Sequence, residues 1–253
     1  MKKKLIILTG PTAVGKTDLS IRLARTVGGE IISADSMQVY RRMDIGTAKI
    51  RPEEMDGVRH HLIDILEPTE SFNAFLFKEY ALKAANEIWE RGSIPSIVGG
   101  TGFYIQTLLY DIEFAKSDEN DGIRDELNKL YEEHGAAFLH DMLAKADPEY
   151  AAEVHENNVK KVIRAIEFYR QTGHKLSEHN TEQRERTSPY NFEYFVLSDD
   201  RAVLYERIDK RIDKMVEAGL IAEVQALLDE GVDRRSVAMQ GLGYKEIAAY
   251  LAG

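Results

Sequence analysis

Residues Gly10-Pro11-Thr12-Ala13-Val14-Gly15-Lys16-Thr17 follow the apolar run Leu5-Ile6-Ile7-Leu8 and match the pattern G-x-x-x-x-G-K-[ST]. In such a loop the backbone N–H groups and the start of the next helix surround a phosphate anion. Lys16 supplies a point charge for terminal phosphate oxygens, and the Thr17 hydroxyl is a ligand for Mg²⁺. The flanks suit that geometry: a short β-rich run precedes the loop, and Leu19, Leu23, Ala24 and Val27 then recur with helical spacing. The octet therefore announces a diphosphate or triphosphate without saying what molecule carries it.

Other chemistry-bearing residues stand where apolar runs end. Asp35 closes the run Glu30-Ile31-Ile32-Ser33-Ala34, and a carboxylate at the end of a buried strand beside an anion site needs a partner or a task. Without such a task it could stand behind the direct ligands of a metal or cap a helix. Gln38 is of a type that pairs with an adenine edge. Thr101, after Gly99-Gly100, can offer its hydroxyl and N–H to a second phosphate or simply cap a helix. Arg207 and Arg211 are four apart on one helix face, which suits either closure over a phosphate or ion pairs with Glu206 and Asp209. His60 and His61 are adjacent, point to opposite faces of a strand, and so read as structural.

The elements that must position these groups alternate. Strands are expected at Leu5–Leu8, Glu30–Asp35, His61–Ile65, Ile94–Val98 and Phe192–Leu197, and helices over Phe72–Arg91 and Arg201–Leu228, the latter broken near Gly219. This predicts an α/β fold: a P-loop NTPase-like parallel sheet flanked by helices, with ligand at the carboxyl ends of the strands. From Asp118 to Glu185 only helical periodicity appears, over Ile123–His134, Ala136–Ala144 and Val159–Tyr169. The expected organisation is a discontinuous core, residues 1–113 and 187–253, carrying an all-helical insertion at 114–186.

Composition narrows the classes. The 253 residues contain no cysteine, which excludes disulfides and thiolate metal sites and suits a cytoplasmic protein. No run approaches the roughly 18 apolar residues of a membrane span. Met1-Lys2-Lys3-Lys4 resembles the start of a signal peptide, but the apolar stretch behind it is short and runs straight into the loop. A net charge of −10 argues against a generally basic nucleic-acid-binding surface, so any polyanion contact must be local. Val159–Arg186, with Lys160, Lys161, Arg164, Arg170, Lys175, Arg184 and Arg186, is the candidate patch; a solvated helix face has the same composition.

Taken together, several stretches resemble one family, the tRNA dimethylallyltransferases, also called tRNA isopentenyltransferases. They are Gly10–Thr17, Ile32–Tyr40, Met43–Lys49, His60–Asp64, Val98–Ile105, Met215–Leu228 and Gly243–Glu246. The resemblance spans nearly the whole chain. Its specific part is Asp-Ser-x-Gln-Val-Tyr followed by Met-Asp-Ile-Gly-Thr-Ala-Lys, since the phosphate loop alone is shared by many enzymes.

The resemblance implies a monomeric enzyme that transfers a dimethylallyl group from dimethylallyl diphosphate to N6 of the adenosine 3′ of a tRNA anticodon. Gly10, Pro11, Thr12, Ala13, Val14, Gly15, Lys16 and Thr17 would hold the diphosphate with Arg207 and Arg211, and Mg²⁺ would sit on Thr17. Asp35 would be the base, Thr101 would lie between the substrates, and Ser36, Met37 and Gln38 would contact the extruded base. Arg124, Lys160, Lys161 and Arg164 would touch the anticodon stem-loop. Position 42 departs from the family pattern in being Arg, and Ile50-Arg51 separates Lys49 from Pro52. The chain also stops at Gly253, before the basic Arg-Gln-x-Thr-Trp segment expected of the family, and Trp89 is its only tryptophan. That implies either a shortened chain or weaker tRNA affinity. Two alternatives use the same residues: a kinase for a small molecule or nucleotide with ATP in the loop and Asp35 as base, and a nucleotide-gated RNA-binding switch.

Overall fold

A computed structural model of the chain describes residues 2–114 and 122–253; Asp118, where the helical pattern was expected to begin, lies outside them. Five strands and ten α-helices follow one another among the described residues: β1 (Lys4–Thr9), α1 (Lys16–Val27), β2 (Gly29–Ser33), β3 (His60–His61), α2 (Ala74–Glu90), β4 (Ile94–Gly99), α3 (Gly102–Leu109), α4 (Ile123–Ala146), α5 (Pro148–Glu153), α6 (Val159–Thr172), α7 (Leu176–Arg184), β5 (Asn191–Val196), α8 (Arg201–Glu217), α9 (Leu220–Asp229) and α10 (Tyr244–Tyr250). They form two compact units, Met1–Asp111 with Ser188–Gly253, and Ile112–Thr187.

The first unit is a five-stranded sheet in the order β3-β2-β4-β1-β5, with every pairing parallel. Parallel strands covered on both faces read as continuous apolar runs, as Leu5–Leu8 does. Alternation along β2 shows the two faces. Ile32 joins Phe77, Ala81, Ile88, Ile105 and Val224 in the large core beneath α2, α3 and α9. Its neighbour Ile31 turns the other way, against Ile21 and Ala24 of α1. The register aligns Thr9 with Gly99 and Ser33 with Val98, so the loops leaving β1, β2 and β4 emerge at one edge of the sheet.

The strand expected over His61–Ile65 is shorter than predicted and holds only His60 and His61. Leu62 and Asp64 adopt left-handed backbone with φ of 64° and 54°, which ends the strand. The ammonium of Lys49, almost wholly buried, explains the bend: it reaches Asp64 Oδ1 at 2.5 Å and Asp44 Oδ1 at 2.6 Å. β5 lies at the sheet edge, which leaves its apolar Phe195 and Val196 exposed. Gly219, at φ 102°, separates α8 from α9.

The second unit is helical. Leu127, Leu139 and Leu143 of α4 meet Val162, Ile163 and Ile166 of α6 in its core. The expected break between two helices is a kink inside α4 at Gly135 (φ 80°). Short helices α5 and α7 were not foreseen, because neither is long enough to show a period. Buried Asp147 organises both: Oδ1 accepts from Tyr150 N at 3.0 Å and Ser177 Oγ at 2.7 Å, and Oδ2 accepts from Ser177 N at 2.8 Å. Burial would raise this carboxyl, but the Ser177 and Tyr150 donors outweigh it and hold it below its ordinary range. Asp147→Asn puts an amide NH₂ against a backbone N–H and is expected to destabilise this unit by about 2 kcal/mol at neutral pH. Because the folded carboxyl is depressed, the wild-type advantage is complete above about pH 5, narrows as the pH falls past the unfolded value of about 3.9 and disappears as it falls through the folded value. Denaturant midpoints of both proteins at pH 7 and pH 3.5 measure this; equal gaps at the two pH values would contradict it.

Candidate active site

The phosphate loop is built on backbone that few sequences tolerate. Gly10 has φ 152°, and a Cβ there would lie 2.5 Å from the Leu197 carbonyl oxygen. Ala13 is left-handed at φ 64°, and Gly15 caps α1 at φ 93°. The chain thereby turns so that the first amides of α1, which have no partner within the helix, face the loop. Lys16 Nζ lies across the mouth, donating to Gly10 O at 2.8 Å and Pro11 O at 2.7 Å. Thr9 Oγ1 donates to Gly99 O at 2.9 Å and ties the loop to the end of β4.

The end of β2 sits against the end of β4. Ala34 N donates to Val98 O at 2.8 Å and Thr101 N to Ala34 O at 3.3 Å. A Cβ at Gly99 would stand 2.2 Å from Ala34 O, so only glycine allows the two backbones to meet. This contact brings Asp35 beside Thr101, two residues 66 positions apart in sequence. Asp35 Oδ1 accepts from Met37 N at 2.8 Å and Gln38 N at 3.2 Å, which fixes the carboxylate over its own turn. Gln38 Nε2 reaches Thr47 O at 3.3 Å and Ala48 O at 3.4 Å. Asp35, Ser36, Met37, Gln38 and Thr101 are all half-buried.

Both arginines of α8 lean towards this edge. Arg207 is paired with Asp199 at 2.8 Å, not with Glu206 or Asp209, and also approaches Ala13 O at 3.4 Å. Arg211 is half-buried and approaches Thr47 O at 3.5 Å. The Asp35 carboxylate acts on both Lys16 and Arg211, and Arg211 acts on Lys16. Burial lowers the Lys16 ammonium, Asp35 partly restores it and Arg211 depresses it further. Burial likewise lowers Arg211, against the pull of Asp35. Tyr104, one turn into α3, is pushed up to about 12 by burial and then by Asp35. Two cations with one carboxylate between them form a site with surplus positive charge, suited to a polyanion beside a proton acceptor.

In the helical unit, Lys160, Lys161 and Arg164 are exposed on α6. Arg124 of α4 is ion-paired with Glu167, also on α6. His60 Nδ1 contacts Val58 O at 2.9 Å and His61 Nε2 meets Glu30 at 2.7 Å, both structural arrangements.

Sequence reasoning missed Tyr104 and the Lys49–Asp44–Asp64 cluster. Lys49 also donates to Tyr40 O at 2.6 Å and so fixes the loop beneath Gln38. The available signal was a lysine in the run Met43-Asp44-Ile45-Gly46-Thr47-Ala48-Lys49, which carried recognition value without an assigned task.

Among the described residues no group of three or more His, Cys, Asp or Glu side chains could hold a metal ion. The donors at the loop, one exposed hydroxyl on Thr17 and an anion cradle, fit a hard divalent cation that arrives with phosphate oxygens and keeps much of its water.

The family model described as IPP transferase matches residues 38–253. A tRNA dimethylallyltransferase of Lachnoclostridium phytofermentans is 59% identical over 249 residues, covering 98% of this chain and 80% of that protein. The enzyme of the same name from Carboxydothermus hydrogenoformans is 49% identical over 253 residues, covering 100% of this chain, loop included, and 81% of its own length. Among solved structures, the tRNA isopentenylpyrophosphate transferase of Bacillus halodurans aligns with a TM-score of 0.70 at 47% identity, over 100% of this chain and 78% of that one. A eukaryotic dimethylallyltransferase acting on tRNA aligns with a TM-score of 0.87 at 33% identity, over 99% of this chain and 63% of its own.

Proposed function

The chain belongs to the IPP transferase family, and from that membership and the geometry at the strand ends we propose how its residues carry out the family's reaction. It transfers a dimethylallyl group from dimethylallyl diphosphate to N6 of the adenosine 3′ of a tRNA anticodon, position 37. The observation that carries the reading is the triad of mutually interacting charges, Lys16, Asp35 and Arg211, at the mouth of a phosphate loop.

In this proposal the loop from Gly10 to Thr17 holds the diphosphate. Its amides, Lys16, Arg211 and Arg207 neutralise the charge that grows on the leaving oxygen as the carbon–oxygen bond breaks. The Thr17 hydroxyl would hold Mg²⁺ arriving with the diphosphate, and the ion would supply further charge neutralisation to the leaving group. The adenine amine is a weak nucleophile, so Asp35 takes its proton as the carbon–nitrogen bond forms, and diphosphate and the modified nucleoside are the products. Thr101, held by Ala34 beside Asp35, lies between the two substrates. Ser36, Met37 and Gln38 receive the base, which must leave its stack to be reached. Arg124, Lys160, Lys161 and Arg164 of the helical unit contact the anticodon stem-loop. No described helix is long and apolar enough to cross a membrane, and the proposal is of a monomeric enzyme of the cytoplasm.

Incubation with Mg²⁺, unmodified tRNA and either dimethylallyl diphosphate or ATP, followed by mass analysis of nucleosides, tests this. Isopentenyladenosine is expected with the prenyl donor alone. Consumption of ATP without prenylation would instead establish the kinase alternative.

A further inference from the structure

A carboxylate outside the charge triad governs the strip on which two of the proposed substrate contacts rest. Glu223, on α9, faces the backbone of the loop at 44–46 and accepts three consecutive amides: Asp44 N at 2.9 Å and Ile45 N at 2.8 Å through Oε2, and Gly46 N at 3.2 Å through Oε1. Oε1 also accepts from the hydroxyl of Tyr244, a buried residue of α10. The Tyr244 ring presses on the same loop, since a Cβ at Gly46 would fall 2.5 Å from its Cε2. The next residue along is the one that matters for chemistry. The Thr47 carbonyl oxygen accepts from both Gln38 Nε2 and Arg211 Nη2.

We propose that Glu223, held by Tyr244, is a positioning residue that fixes the Asp44–Thr47 backbone and through the Thr47 carbonyl seats Gln38 against the tRNA base and Arg211 against the diphosphate. Three successive N–H groups form a concave anion receptor. Here the protein fills it with its own carboxylate, which makes the loop rigid at one definite height. The geometry explains why one contact serves both substrates: a single carbonyl orients a side chain for each. This inference rests on the roles proposed for Gln38 and Arg211, and a direct readout of the clamp separates the two.

Glu223→Gln puts an NH₂ where only acceptors fit, and Tyr244→Phe removes one hydroxyl while keeping the ring, so at least the second variant retains its packing. Amide hydrogen exchange at 44–46 is expected to quicken about tenfold or more in Glu223→Gln, and KM for both tRNA and dimethylallyl diphosphate to rise about tenfold, with a smaller change in kcat. Tyr244→Phe is expected to do the same in weaker form. The same Glu223→Gln change made on Gln38→Ala should add little to KM for tRNA, and made on Arg211→Ala little to KM for the diphosphate, because the contact is already spent. Unaltered exchange, or effects that add in full across both pairs, would overturn the proposal. Gln38→Ala by itself checks the underlying reading: an unchanged tRNA KM there defeats that reading, whereas a raised KM there and an unchanged one in Glu223→Gln defeats the clamp.

Discussion

Asp35→Ala is expected to lower kcat by about 10²–10⁴-fold, the range associated with loss of a general base, while dimethylallyl diphosphate binds as tightly as before or more tightly. The second half follows from electrostatics at the site. Asp35 is the anion that partly restores the Lys16 ammonium and the Arg211 guanidinium against burial. Its removal takes a negative charge away from the diphosphate's seat, so affinity for the diphosphate should not fall at neutral pH while Lys16 keeps its proton, and should fall only on the alkaline side, where loss of Asp35 lowers the Lys16 ammonium further. Asp35→Asn separates the base from the turn. Asn keeps an oxygen to accept from Met37 N and Gln38 N, yet it cannot take a proton. Both variants should therefore be similarly impaired in single-turnover prenylation. An Asn variant close to wild type would mean that the residue serves only to shape the turn, and a parallel loss of turnover and diphosphate affinity in the Ala variant would remove it from the proton-transfer role.

Lys16→Ala should have an effect of comparable size on the other substrate. Loss of one preorganised donor to a developing oxyanion costs roughly 10²–10³-fold, and here it should appear in kcat/KM for dimethylallyl diphosphate and as weaker inhibition by inorganic diphosphate. KM for tRNA should stay within about threefold, because Lys16 donates to the loop carbonyls of Gly10 and Pro11 and makes no hydrogen bond to Gln38 or Thr47. The pH dependence has a definite sign. Burial lowers the Lys16 ammonium, and Arg211 adds to the depression, so the cation is present below its lowered value and lost as the pH rises through it. In wild type, affinity for diphosphate should therefore weaken on the alkaline side before an ordinary lysine would titrate, near 10.4. That limb should vanish in Lys16→Ala, and its survival there would assign it to another group.

Much of this site was legible in the chain because it depends on local chemistry. The loop from Gly10 to Thr17 is a contiguous device whose glycines, lysine and hydroxyl must lie at fixed spacing to surround a phosphate. Asp35, Thr101 and the glycines at 99 and 100 were visible because they close apolar runs, and in a parallel sheet the ends of such runs converge. The alternation of apolar runs with helical periods likewise implied the parallel sheet. The failures were of another kind. The strand expected over His61–Ile65 was broken by Lys49, twelve residues before it, which draws in the Asp64 carboxylate. Arg207 found Asp199 in place of its helical neighbours. Tyr104 became part of the electrostatic surroundings of Asp35 through packing against Phe77 and Phe72, with ring centroids 4.8 and 5.6 Å away.

The sequence alone thus determined the kind of anion cradle, the sheet that carries it and the identity of the residues at its strand ends, since each follows from spacing along the chain. Only the tertiary structure decided how those residues are held. The close approach of the β2 and β4 backbones that only glycine permits at Gly99, the buried ammonium of Lys49 and the Glu223 carboxylate seated on three amides of a loop about 180 residues away join segments whose separation leaves no periodic trace. Hydrogen bonds and close packing across such distances depend on where the folded backbone brings the groups, and residue type records only that they are able to meet.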